Sequence, residues 1–156
     1  MVKFRIICVG KTPKGWREEA FEHYRKLIVP FAKLEEISVK EQKIIESAGI
    51  ENSLRQEGER ILKLLSASTH KIALDRKGKH RSSIELCKHF ETLYQRFSAF
   101  DLIIGGPHGL HCTVLDRADE KMSLSYLTFP HDLAKIVVAE QIYRALSIMN
   151  NFPYHK

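Results

Sequence analysis

The stretch Ile103-Ile104-Gly105-Gly106-Pro107-His108-Gly109-Leu110 decides the fold class of this chain. Leu102-Ile103-Ile104 is a short apolar run that stops on two glycines and a proline, as expected of a strand buried on both faces and closed by a tight turn. In parallel α/β sheets, ligands bind beyond the C-terminal ends of the strands, and glycines there let a ligand approach the backbone. The same pattern recurs outward in both directions. Phe4, Ile6, Ile7, Cys8 and Val9 run into Gly10, Leu34 to Val39 is a second strand, and His70 to Asp75 carries Ile72-Ala73-Leu74. Leu124 to Phe129 is the expected last strand, ending at Pro130. Helical spacing fills the intervals at residues 14–28, 51–66, 82–97, 111–122 and 131–150. Strand and helix alternate, so the chain predicts an α/β fold with a mostly parallel sheet flanked by helices. With 156 residues and 44% hydrophobic content, residues 1–156 are expected to form a single domain.

The last helix stands apart. Leu133, Ile136, Val137, Val138, Ala139, Ile142, Leu146, Ile148 and Met149 leave it apolar nearly all round, so it must be covered on more than one side. In so small a chain this predicts a homodimer, with a central helix in a monomer as the alternative. Lys40 to Asn52 is the most polar connection and is expected to be a loop. Cys8, Cys87 and Cys112 are far apart and show neither a disulfide framework nor zinc-ligand spacing, so no metal is implied and a reducing compartment is expected. No segment has the length of apolar residues a membrane span needs, and the expected location is the cytoplasm. The 25 basic residues against 19 acidic ones give +6, which leans toward a polyanionic partner. Arg76-Lys77-Gly78-Lys79-His80-Arg81 is the densest basic segment and reads as a loop after the third strand, either solvated or in contact with phosphate.

Several familiar sites are excluded. Gly10-Lys11-Thr12 has Arg5 where a phosphate loop needs its first glycine, and Pro13 follows. No GxGxxG, no GxSxG and no zinc-deaminase spacing occurs.

The motifs that remain form an ordered set: Leu74-Asp75, Ile104-Gly105-Gly106-Pro107-x-Gly109-Leu110, Leu124-Ser125-x-Leu127-Thr128-Phe129-Pro130-His131, Glu140-Gln141-x-Tyr143-Arg144-Ala145, and the closing Tyr154-His155. Together with Val9-Gly10-Lys11 and Glu57-Gly58-Glu59, this set resembles the RlmH family of SPOUT methyltransferases of the large ribosomal subunit, over essentially the whole chain. The resemblance implies a SPOUT domain with a C-terminal trefoil knot, S-adenosylmethionine as cofactor, and an obligate homodimer. It also implies N3 methylation of a pseudouridine in 23S rRNA on assembled ribosomes. By match to the family pattern, cofactor contacts fall on Leu74, Gly105 and the run Leu124, Ser125, Tyr126, Leu127, Thr128 and Phe129.

Methyl transfer from a sulfonium needs an in-line approach and a deprotonated or polarised imide nitrogen. The expected groups on the RNA side are Arg144, Tyr154 and His155. Glu140 and Arg144 are four residues apart on one helix and should pair. Tyr154 could stack on a base while His155 accepts or relays a proton. His131 has equal claims as a helix-start residue. A branched side chain at Gly105 is expected to take space a ligand needs while leaving the fold largely intact. The alternatives are a SPOUT methyltransferase acting on tRNA or another RNA, and a nucleotide-binding module without catalysis.

Overall fold

The computed structural model describes Met1 to Lys156. One five-stranded sheet has the order β2-β1-β4-β3-β5, and all its ladders are parallel. The strands are β1 (Val2–Val9), β2 (Ala32–Val39), β3 (His70–His80), β4 (Ala99–Ile104) and β5 (Glu120–Ser123). The helices are α1 (Trp16–Ile28), α2 (Gly49–Leu62), α3 (Ser83–Tyr94), α4 (Cys112–Arg117) and α5 (His131–Met149).

Alternation along β1 and β4 divides the core. Phe4, Ile6, Cys8, Phe100, Leu102 and Ile104 face α1, α3 and α5, whereas Ile7, Val9 and Ile103 face Ile61 of α2 and Val114 of α4. Pairing of Cys8 with Ile104 and of Ala73 with Ile103 brings the ends of β1, β4 and β3 to one edge of the sheet. That edge carries the site.

Four expectations about element boundaries change. β5 is Glu120–Ser123, so Leu124 to Phe129 is a loop rather than a strand. The helix expected at residues 111–122 is only α4, which ends at Arg117 because the chain must turn into β5. The basic segment 76–80 is strand rather than loop. After a shift in which Leu74 and Lys79 both lie opposite Met122, β3 rejoins β5, and it does so across Gly78, where a Cβ would stand 2.5 Å from the Met122 nitrogen. Arg81 follows the strand and pairs with Glu120. Finally, the loop between β2 and α2 ends at Ala48 and is tied to α2. The Gln42 amide donates to Glu57, the Ser53 hydroxyl to the Lys43 carbonyl and Arg60 to the Lys40 carbonyl.

Helix α5 lies between α1 and α3, and none of its apolar residues is exposed. Its all-round apolar pattern is therefore satisfied within one chain. The helix by itself no longer calls for a second subunit.

One buried ion pair fixes the register of the two central strands. Arg5 and Asp101 are direct partners across the β1–β4 ladder, and the guanidinium donates from Nε and Nη2 to the two carboxylate oxygens at 2.6 and 2.7 Å. Asp101 is fully buried and also accepts from the Thr69 hydroxyl at 2.6 Å. The carboxylate raises the Arg5 pKa above its ordinary value, hydrogen bonding outweighing burial. Removing one partner of such a pair strands a buried charge. Arg5→Leu should cost about 3–5 kcal/mol in urea unfolding, whereas replacing Arg5 and Asp101 together with apolar residues should recover most of that loss.

Candidate active site

A cavity of 830 Å³ opens at the C-terminal edge of the sheet. Leu74 ends one wall and Ile104 another, and the loops 105–110 and 124–130 close over it down to His131 and Ala134 at the start of α5. Its volume is in the range of small-molecule sites. Of the expected cofactor contacts, Leu74, Gly105, Leu124, Ser125, Leu127, Thr128 and Phe129 all line this cavity. Tyr126 does not. It is 90% exposed and stacks on His80 with ring centroids 3.9 Å apart.

The two loops are held in different ways. In the first, the Gly109 amide donates to the Gly106 carbonyl at 3.0 Å, and Gly109 has φ of +82°, a backbone that favours glycine. A Cβ on Gly105 would lie 2.4 Å from the Gly109 carbonyl oxygen. The expectation that a Gly105 side chain would compete only with ligand is thereby corrected, because the loop's own backbone already fills that space. In the second loop, the Ser123 hydroxyl donates to the Ser125 carbonyl and the Ser125 Oγ accepts from the Leu127 amide. No sheet ladder claims the remaining amides and carbonyls of residues 124–129, which leaves them for a ligand.

Arg144, Tyr154 and His155 are brought together around Glu140. Arg144 donates from Nε and Nη2 to Glu140 Oε1 at 2.9 and 2.6 Å, and the Tyr154 hydroxyl donates to the same oxygen at 3.1 Å. The guanidinium lies over the Tyr154 ring at 4.7 Å, and its Nη1 stands 3.2 Å from His155 Nδ1. Hydrogen bonding to Glu140 raises the Arg144 pKa, and burial with Tyr24 and Glu140 nearby pushes the Tyr154 phenol well up. Tyr154 is thus a neutral donor at physiological pH. The tail is packed rather than free. Asn151 turns the chain with φ of +52°, the Phe152 amide donates to the Ser147 carbonyl, and the Tyr154 ring meets Tyr143 edge-on at 4.6 Å.

The cavity lies at the N-terminal end of α5 and this cluster in its second half. Ala134 is the last helix residue lining the cavity and Arg144 stands ten residues later, which at a helical rise of 1.5 Å per residue is about 15 Å along the axis. Within one chain the two groups of residues do not meet.

Sequence reading missed Lys135. It sits at an apolar position of α5, is 1% exposed, and donates to Glu36 and Thr12 while lying 4.7 Å over the Phe21 ring. A smaller hollow of 280 Å³ lies beside it. The signal was a lysine set among the apolar residues of the first half of α5. Also missed was His111, which caps α4 by accepting from the Thr113 amide and reaches Glu51 at 2.8 Å.

A parallel α/β sheet with glycine and serine loops over a cavity at its strand ends is the arrangement in which α/β proteins hold small ligands, and comparison specifies the class. A family model described as "Predicted SPOUT methyltransferase" matches residues 2–155, and the chain belongs to that family. Among proteins it resembles are three called ribosomal RNA large subunit methyltransferase H. The one from Exiguobacterium sp. is 42% identical, covering 97% of this chain and 98% of the relative. That from Carboxydothermus hydrogenoformans is 40% identical over 99% and 100%. That from Methylococcus capsulatus is 34% identical, again over 99% and 100%.

The geometry of the first loop distinguishes its neighbouring glycines. A Cβ at Gly106 would meet only Val9 Cγ1, at 3.4 Å. Gly105→Ala should therefore lower stability by about 1–3 kcal/mol in thermal or urea unfolding while Gly106→Ala stays near the original value. Equal effects of the two would show that the Gly105–Gly109 contact does not hold the loop.

Proposed function

We propose that this chain transfers a methyl group from S-adenosylmethionine to N3 of a pseudouridine in 23S rRNA of the assembled ribosome. It works in the cytoplasm as a homodimer; no helix of the chain is long and apolar enough to cross a membrane. The observation that carries the reading is the cavity, walled by the Gly105–Gly109 and Leu124–Phe129 loops, in a chain that belongs to a methyltransferase family. The full-length likeness to large-subunit rRNA methyltransferases supports the RNA substrate.

S-Adenosylmethionine would supply an electrophilic methyl group. The residues present fit it: apolar side chains of Leu74, Leu124 and Phe129 offer surface for an adenine, and unclaimed backbone groups of the second loop offer hydrogen bonds to its edge. The trefoil knot implied by the resemblance belongs to the same reading, since a threaded loop is ordered before the ligand arrives.

On the RNA side, Arg144 stabilises negative charge as the imide loses its proton, Tyr154 donates a hydrogen bond, and the exposed His155 accepts or relays the proton. Because these residues lie so far from their own cavity, the dimer places one subunit's Arg144, Tyr154 and His155 against the partner's donor cavity. Two exposed apolar side chains beside the cavity, Tyr126 and Leu127, support a covered mouth.

Transfer of labelled methyl from S-adenosylmethionine is to be measured on whole ribosomes, free large subunits and tRNA. Whole ribosomes should be the preferred acceptor. Deleting Tyr154 to Lys156 should leave cofactor binding intact and slow transfer by about a hundredfold or more. Preference for tRNA would assign a different RNA, and cofactor binding without transfer to any of the three would make the chain a binding module.

A further inference from the structure

We propose that His70, His89 and Glu120 form a binding site for one divalent transition-metal ion of the zinc class. The three side chains come from β3, α3 and β5, and one ligand atom from each lies within 4.8 Å of the others. His70 Nε2 stands 3.1 Å and His89 Nε2 2.6 Å from the same oxygen, Glu120 Oε1. Two imidazoles and a carboxylate are a recognised donor set for zinc with a fourth position open. The ligands are dispersed over fifty positions with no local spacing, so a search for paired cysteines or histidines along the chain does not find them.

The surroundings are those a metal-bound carboxylate needs. Glu120 is divided in function: Oε1 faces the two imidazoles, while Oε2 is held by Arg81 Nη2 at 2.6 Å. Arg81 Nη2 also stands 3.3 Å from His89 Nε2, so an ion on that nitrogen displaces this second contact, while the pairing of Arg81 with Oε2 orients the ligating carboxylate. Asp119 stands 3.9 Å from His70 Nδ1, on the ring nitrogen opposite the one offered to the ion. At that distance it makes no hydrogen bond to the ring, and the same carboxylate oxygen accepts from the Lys71 amide at 2.7 Å and from the Lys71 ammonium at 3.3 Å. Side-chain exposures of 11% for His70, 16% for Glu120 and 25% for His89 describe a pocket open on one side.

Two imidazoles and a guanidinium converge on one carboxylate, and Arg81 Nη1 is buried without an acceptor. A divalent ion held by these three ligand atoms brings a fourth, oxygen ligand. The carboxylates of Asp119 and Glu120 are already paired with Lys71 and Arg81 on the same cluster. The ion therefore adds its full charge, and an anionic fourth ligand is favoured.

The site is remote from the donor cavity. His70 precedes Leu74 by four residues of β3, about 13 Å at the rise of an extended strand. Its effect is structural: it joins α3 and β3 to β5, an edge strand of four residues that leads directly into the 124–129 loop.

The test uses the full chain after dialysis against chelator, titrated with Zn²⁺ against a chromogenic chelator and separately with Co²⁺. One equivalent of Zn²⁺ should bind, Co²⁺ should give the intense visible bands of tetrahedral coordination, and saturation should raise Tm by roughly 5–10 °C. His89→Gln, on a half-buried helix position, should keep its metal-free Tm, weaken Zn²⁺ at least about tenfold and lose the Co²⁺ bands; Arg81→Lys should weaken binding about tenfold. Unchanged affinity in a folded His89→Gln variant overturns the proposal, as does a weak octahedral Co²⁺ spectrum in the original chain. Methyl transfer is not read in this test, so its outcome is independent of the proposed activity.

Discussion

Helix α5 is a rod of 19 residues wedged between α1 and α3, and its length sets how far apart the two halves of the chemistry stand. Its first turn helps close the cavity. Its last turns carry Arg144 and receive the folded-back tail with Tyr154 and His155. A helix so packed does not bend to bring those groups together, because most of its side chains are buried against the sheet or a neighbouring helix. The proposed reaction, which uses both groups, therefore calls for two copies of the rod. This is a stronger reason for a dimer than the helix's apolar surface, which the protomer covers by itself.

The cavity owes its shape to the parallel sheet. Strands β1, β4 and β3 end together because their registers are fixed by buried alternation and, at Arg5 and Asp101, by a cross-strand ion pair. The loops beyond those ends are shaped mainly by backbone contacts. Gly105 abuts Gly109, and Ser125 braces Leu127, so little of the site depends on long flexible side chains. That is the kind of preorganisation a reaction depending on alignment requires.

Much of this was legible in the sequence, for identifiable reasons. Buried strands such as Ile6 to Val9 and Leu102 to Ile104 announce themselves as apolar runs stopped by glycine, and the pairing of Glu140 with Arg144 follows from helical spacing. The strand expected at Leu124 to Phe129 became a loop because apolar residues that line a cavity look locally like those that fill a core. The basic segment at Arg76 to His80 looked like a solvated loop, yet its backbone rejoins β5 across Gly78, a contact set by tertiary approach. Lys135 and the cluster of His70, His89 and Glu120 were invisible for a related reason. Their partners lie tens of residues away, and only the fold brings them within bonding distance.

Sharing of the site between subunits is tested most directly with a heterodimer. One subunit would carry Thr128→Trp, at an exposed position that lines the cavity, and the other would lack Tyr154 to Lys156. Each homodimer should be folded and inactive, the first unable to bind S-adenosylmethionine. The purified heterodimer combines one intact cavity with one intact tail across the interface and should recover about half the methyl transfer of the unaltered dimer. A heterodimer as inactive as either parent, with both subunits folded, would contradict a site shared between subunits.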